Sequence, residues 1–250
     1  MKKLTVILCC IITFAANAQK LPATQQSSLR VPANVKIDGK PAEWGTFQAY
    51  NHNCDIYYTI ANDDDNLYIA IQCQYTDVIR RILNGSITFT VNPSGKKDDK
   101  GGMSITYPVL TAAPMVNFKF KPATDLQADS AMNVANKKVS NQWKTIKTSG
   151  IKGLDTVISV YNDDGVIAAG LFNNKFVYTC ELSVTLKQLG LNTVNPTKFA
   201  YHIMVNEVTQ HGIEIKKDDS GRILSINVTA GAQMGQAATD FWGEYTLAKK

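Results

Sequence analysis

Apolar and polar positions alternate most clearly between Cys54 and Tyr75. Ile56, Tyr58 and Ile60 alternate with more polar neighbours, and Leu67, Ile69 and Ile71 do so again after a break. The break is Asn62-Asp63-Asp64-Asp65-Asn66, residue types that accept turn dihedrals and hydrogen-bond their own backbone. The pattern predicts an antiparallel hairpin. With Ala61 and Asn66 as the closing pair, Ile60 faces Leu67, Tyr58 faces Ile69, Ile56 faces Ile71 and Cys54 faces Cys73. All four pairs then share one face, because strand side chains alternate with period two. Tyr57 and Tyr68 fall together on the other face.

The rest of the chain has the same texture. Residues 19–34 lack an apolar period and are rich in Gln, Ser, Pro and Ala, which suits a linker or an edge segment. From residue 35 the pattern is continuous, with a turn at Asp38-Gly39 and a buried Trp44 expected just after it. Residues 78–83 read as one helical turn or an irregular edge, and 86–92 as a strand. Residues 94–102 read as an exposed polar loop whose charges cancel. Strands are expected at 103–109 and 115–120. Residues 124–146 turn to Ala, Gln, Asn and Lys, with Thr124 or Asp125 able to cap a helix and Val139 and Trp143 on one face of it. Strand patterns return at 154–161, 166–172, 176–182, 199–208, 213–215, 223–228 and 245–247. So many short strands between turn signals predict an all-β chain: a two-sheet antiparallel β-sandwich of jelly-roll or immunoglobulin-like type, with a short helical insertion around 124–146.

The N-terminus modifies this picture. A basic start, an apolar run over residues 4–16 and Ala16-Asn17-Ala18 have the anatomy of a secretory signal peptide cleaved before Gln19. The run is shorter than the roughly 20 residues a membrane helix needs. The expected division is therefore a leader at 1–18, a linker or edge segment at 19–34 and one sandwich domain at 35–250, exported to the periplasm, cell surface or medium. No later stretch is apolar enough to span a membrane. Of the five cysteines, Cys9 and Cys10 lie in the leader. Export permits a disulfide between Cys54 and Cys73, which the hairpin register sets opposite each other; three reduced, buried thiols are the alternative. The formal charge of +5 includes Lys2 and Lys3 of the leader, and the remaining basic residues are scattered beside acidic or turn residues. That charge is too mild to imply a nucleic-acid or membrane-surface partner.

Four segments in order resemble family 9 carbohydrate-binding modules and the wider group of DOMON-like sandwiches. They are Ile37-Asp38-Gly39 with Glu43-Trp44; Asn62-Asp63-Asp64-Asp65-Asn66-Leu67-Tyr68 with Asp77 beyond; residues 178–189, where Thr185 replaces a usual proline; and Trp242-Gly243-Glu244-Tyr245-Thr246-Leu247. The resemblance implies an exported, non-catalytic sandwich that binds sugar in polysaccharide metabolism, often with a structural calcium ion. Fold alone does not transfer function.

A sugar site needs aromatic faces to stack on a pyranose ring, beside amides and carboxylates for its hydroxyls. The candidates are Tyr57, Tyr68, Trp143 and Tyr107. Trp44 and Trp242 sit in the scaffold motifs and are expected to be buried. Asp63, Asp64 and Asp65 offer oxygen ligands for calcium, without the spacing of an EF-hand; a solvated turn needs no metal. His52, His202 and His211 lack zinc-site spacing. His202 and Met204 share a strand face, as axial haem ligands would, but two ordinary core or surface side chains explain them better. No nucleophile elbow, phosphate loop or dinucleotide fingerprint occurs. Two other functions stay open: a cell-envelope structural or protein-interaction sandwich without a sugar site, and a glycoside-active enzyme on the same fold.

Overall fold

The computed structural model describes residues 20–109 and 125–249. The expected leader, the residue 115–120 strand and the Thr124 cap lie outside the described residues. The elements in chain order are β1 (Ala49–Asn51), β2 (Ile56–Asn62), β3 (Asn66–Cys73), α1 (Thr76–Gly85), β4 (Ile87–Asn92), β5 (Met103–Tyr107), α2 (Asp125–Gln142), β6 (Thr145–Ser149), β7 (Val157–Ser159), β8 (Val166–Phe172), β9 (Tyr178–Thr185), β10 (Lys198–Val205), β11 (His211–Lys217), β12 (Ile223–Gln233) and β13 (Thr239–Thr246). Five strands form one antiparallel sheet, β1-β2-β3-β9-β8, and six form a second, β13-β10-β4-β5-β6-β7. These two sheets make a β-sandwich. Strands β11 and β12 form a separate hairpin whose Ile223, Leu224, Ile226 and Val228 are exposed. Among the described residues, no helix is long and apolar enough to cross a membrane.

The core follows from the period-two pattern. Ile56, Tyr58, Ile60, Leu67, Ile69 and Ile71 face Phe89, Val91, Phe199, Tyr201 and Ile203 across the sandwich, all within one buried cluster. Buried Tyr58 and Tyr201 share a hydrogen bond between their hydroxyls at 2.7 Å. Residues 78–83 belong to the full α1 helix, which buries Val78, Ile79, Ile82 and Leu83. The stripe of α2 is Ala128, Met132, Ala135 and Val139, each buried at helical spacing.

The hairpin register differs from the expected one by two residues. Ile60 pairs with Ile69 and Tyr58 with Ile71, because the turn closes at Asn62 and Leu67. A shift of two keeps every side chain on its face, so the core set is unchanged. It does separate the cysteines. Cys54 lies in the turn before β2, next to Asp55 at φ 53°, and has no ladder partner. The expected Cys54–Cys73 disulfide is therefore corrected: Cys54, Cys73 and Cys180 are all free and buried.

Residues 20–48 are held against the five-stranded sheet. Gln25 sends its amide to the open edge of β2, with Nε2 donating to Ile60 O at 2.8 Å and Oε1 accepting from Ile60 N at 2.7 Å. Val31 N then donates to Asn62 O at 3.0 Å. The same segment reaches the second sheet, where Leu29 N donates to Tyr245 Oη at 2.8 Å and Ser28 Oγ to Thr246 O at 2.6 Å. It thus closes one side of the sandwich. Trp44 and Phe47 pack with Ala61 and Ala70 on the outer face of β2 and β3. Buried Glu181 of β9 receives Trp44 Nε1 at 2.8 Å, Gly39 N at 2.7 Å and Asp38 N at 2.9 Å. Gly39 has φ 81°, and a Cβ there would meet Leu171 N at 2.7 Å, so this approach needs glycine.

Candidate functional site

The four aromatic candidates separate into three environments. Trp143 and Tyr107 are buried and meet edge to face at 6.5 Å between centroids. Trp143 follows Val139 by one helical turn, which swings it under α2 onto Tyr178. Neither ring offers a face to a ligand, which corrects their assignment. Tyr68 is half-buried, and its hydroxyl donates to Asp63 Oδ2 at 2.7 Å. Tyr57 pairs with Gln72 while Tyr68 pairs with Ala61. That places them roughly 13 Å apart along the strands, so they form no common platform.

The three aspartates do not converge. Asp63 caps its own turn, accepting from Asp65 N at 2.8 Å and Asn66 N at 2.6 Å. Burial pushes this carboxyl up, but its hydrogen bonds outweigh that and hold it below the usual carboxylate range. Asp64 pairs with Arg30 at 2.8 Å. No group of three or more His, Cys, Asp or Glu suited to a metal ion occurs among the described residues. This turn does not fit a calcium site.

Tyr57 lies on the outer face of the five-stranded sheet. Its ring is 4.5 Å from Tyr50 and 6.5 Å from Phe47. With Phe47, Gln72 and Gln74 it lines a hollow of about 330 Å³.

A further cleft lies on the other sheet, at a residue expected from the sequence to belong to the scaffold. Along β13, Phe241, Gly243 and Tyr245 alternate with Asp240, Trp242, Glu244 and Thr246. The first set turns inward, and a Cβ on Gly243 would collide with the Tyr201 ring. The second set turns out, so Trp242 is half-buried on the outer face. Its partner across the ladder is His202 of β10, and the two rings stack at 4.4 Å with an angle of 7°. His202 is itself anchored: Nε2 lies 2.8 Å from Asp240 Oδ2 and Nδ1 3.3 Å from Asp99 Oδ1. That use accounts for His202 and leaves no haem-ligand role for it.

β13 is an edge strand. Half-buried Trp242, stacked on His202, is among the residues that line a cleft shared with residues 24–28. This cleft of about 340 Å³ runs between strand and segment, bordered by Thr24, Gln26, Lys97, Lys198 and Glu244. Glu244 bridges Lys97 at 3.2 Å and Lys198 at 3.1 Å. Hydrogen bonds from Lys198 and Lys97 lower its titration, so it stays a carboxylate. An indole face ringed by ammonium, carboxylate, amide and hydroxyl groups suits a flat apolar surface edged with hydroxyls. The signal for Trp242 was present in the strand: it falls in the outward phase set by Tyr245 and Leu247.

The molecule is thus an antiparallel β-sandwich with a cleft between edge strand β13 and the N-terminal segment, bordered by Trp242. No family model and no curated protein matches the chain. Among solved structures it is similar to a family 9 carbohydrate-binding module from Caldicellulosiruptor kristjanssonii, in complex with glucose. The TM-score is 0.40 and the identity 9%, over 93% of this chain and 97% of that one.

Proposed function

We propose that the protein is an exported, non-catalytic module that binds carbohydrate in the Trp242 cleft. The observation that carries this reading is the indole stacked on His202 at the border of a cleft that also gathers amide, hydroxyl and paired charged groups. A pyranose ring presents an apolar face to such a platform and its hydroxyls to the rim. Pre-stacking on His202 limits the ordering that binding requires of Trp242. Binding rather than cleavage is favoured because the nearby carboxylates are engaged: Glu244 with two lysines, Asp240 and Asp99 with His202. Glycoside hydrolysis needs a carboxyl pair placed to give and take protons. The leader-like residues 1–18 support export.

The test is a glycan array probed with the parent protein and with Trp242→Ala, each checked by thermal melting. The parent should bind at least one glycan class. Trp242→Ala should lose that binding while melting within a few degrees of the parent, because its side chain stands outside the core. A parent that binds no glycan, or a variant that binds as well as the parent, contradicts the proposal.

A further inference from the structure

The cleft at Trp242 does not end there. Gln26 borders it and also a second hollow of about 600 Å³. That hollow shares Leu21, Thr46 and Phe47 with the third one, at Tyr57. Three hollows with shared lining residues therefore follow one another along the N-terminal segment, from an aromatic ring on one sheet to an aromatic ring on the other. The path rounds the edge of the sandwich, so it covers at least the ~10 Å that separates packed sheets.

Its lining is consistent along its length. The amides of Gln26, Gln48, Gln72 and Gln74 border it in turn, and each is held by its nitrogen to a neighbouring oxygen at 2.8, 3.0, 3.2 and 3.4 Å respectively. These amides are oriented before any ligand arrives. Charge is sparse. No carboxylate borders the second or third hollow, Lys20 is the one cation among their lining residues, and the lysines at Trp242 are paired to Glu244. An acidic polymer would call for unpaired cations along the path. Aromatic rings at the ends with amides along the path suit a chain of uncharged sugars.

Resting on the reading that Trp242 stacks on sugar, we infer that the ligand is an internal stretch of a neutral polysaccharide chain. Trp242 and Tyr57 hold its two ends, Gln72 and Gln74 bind beside Tyr57, and Gln26 and Gln48 bind the units between. A single terminal sugar would use the first cleft alone.

Calorimetric titration separates these cases. The probes are the cello-, xylo-, manno-, malto- and laminari-oligosaccharide series, each from monomer to hexamer, against the parent, Trp242→Ala, Tyr57→Ala and Gln74→Ala. Gln74 is exposed and its removal leaves the fold intact, so it guards against a Tyr57 variant that folds poorly. For the series that binds, affinity should rise at least about tenfold from monomer to hexamer, the effect of one added stacking contact. Tyr57→Ala should lose about that factor for the hexamer, and Gln74→Ala a smaller part of it, with monomer affinity unchanged in both. Trp242→Ala should weaken every length. Equal affinity for monomer and hexamer, or hexamer binding that neither Tyr57→Ala nor Gln74→Ala weakens, overturns the extended site and leaves sugar binding at Trp242 standing. No binding of any series by the parent overturns both.

Discussion

Glu181 is the residue on which the outer layer depends. Its carboxylate is buried in β9 and takes three N–H donors from residues 38–44. In Glu181→Gln one oxygen becomes an amide that faces N–H groups, so at least one donor is left buried and unpaired. The expected cost is about 1–3 kcal/mol, read as a fall in melting temperature. Trp44→Ala removes the packing as well as the donor and should cost about 3–5 kcal/mol. Burial also pushes the Glu181 carboxyl up to about 7, against the pull of its donors, from an ordinary value of 4.5. A group raised on folding stabilises fully below its unfolded value and loses that contribution as pH climbs through the folded one. Melting temperature should therefore decline from about pH 5 to about pH 8, and Glu181→Gln should flatten the slope. A parent profile level across that window contradicts the assignment.

At the level of elements, side-chain amides bond backbone groups on both sides of the five-stranded sheet, on β2 beyond the end of β1 and on edge strand β8. Gln25 covers β2 at Ile60, and Asn136 of α2 covers β8, donating to Phe172 O and accepting from Phe172 N, each at 2.8 Å. Unpaired edges invite strand addition from other chains, and these contacts occupy the backbone groups of Ile60 and Phe172. Gln25→Ala should speed hydrogen exchange at the Ile60 amide, and Asn136→Ala at Phe172; unchanged exchange would show that the amides are not what protects them. The same level shows where sequence reading stopped. The faces of β2 and β3 were legible because period-two alternation survives a shift of two residues. The register was not, because Asn62 and Asn66 suit the turn equally, and only tertiary contacts such as Ala248 N to Asn62 Oδ1 at 2.7 Å distinguish them. The cysteine pairing depended on that register. Denatured without reductant, the chain from Gln19 should yield three reactive thiols, whereas a single one would restore the disulfide.

For the whole molecule, the four motifs read from sequence meet in space. Asp38, Gly39 and Trp44 bind Glu181; Asp65 O accepts from Leu186 N at 2.7 Å; and Asn62 holds Ala248 just past the last strand. They were legible because each is a short local pattern, two of them turns and two of them mostly strand. The candidate site was not, because it is built from β13, β10, the loop at 97–99 and residues 24–28, which only the fold brings together. Trp242 was misplaced for a different reason: a tryptophan in a scaffold motif is expected inside, and that expectation outweighed the outward phase that Tyr245 and Leu247 give it. The chain has three tryptophans, which makes the central claim accessible to one spectrum. Two of them, Trp44 and Trp143, are buried in scaffold positions, and Trp242 borders the cleft. In a nitrogen–proton correlation spectrum with assigned indole resonances, titration with a bound oligosaccharide should move the Trp242 signal and leave those of Trp44 and Trp143 in place. A glycan that binds while the Trp242 signal stays fixed would contradict the account.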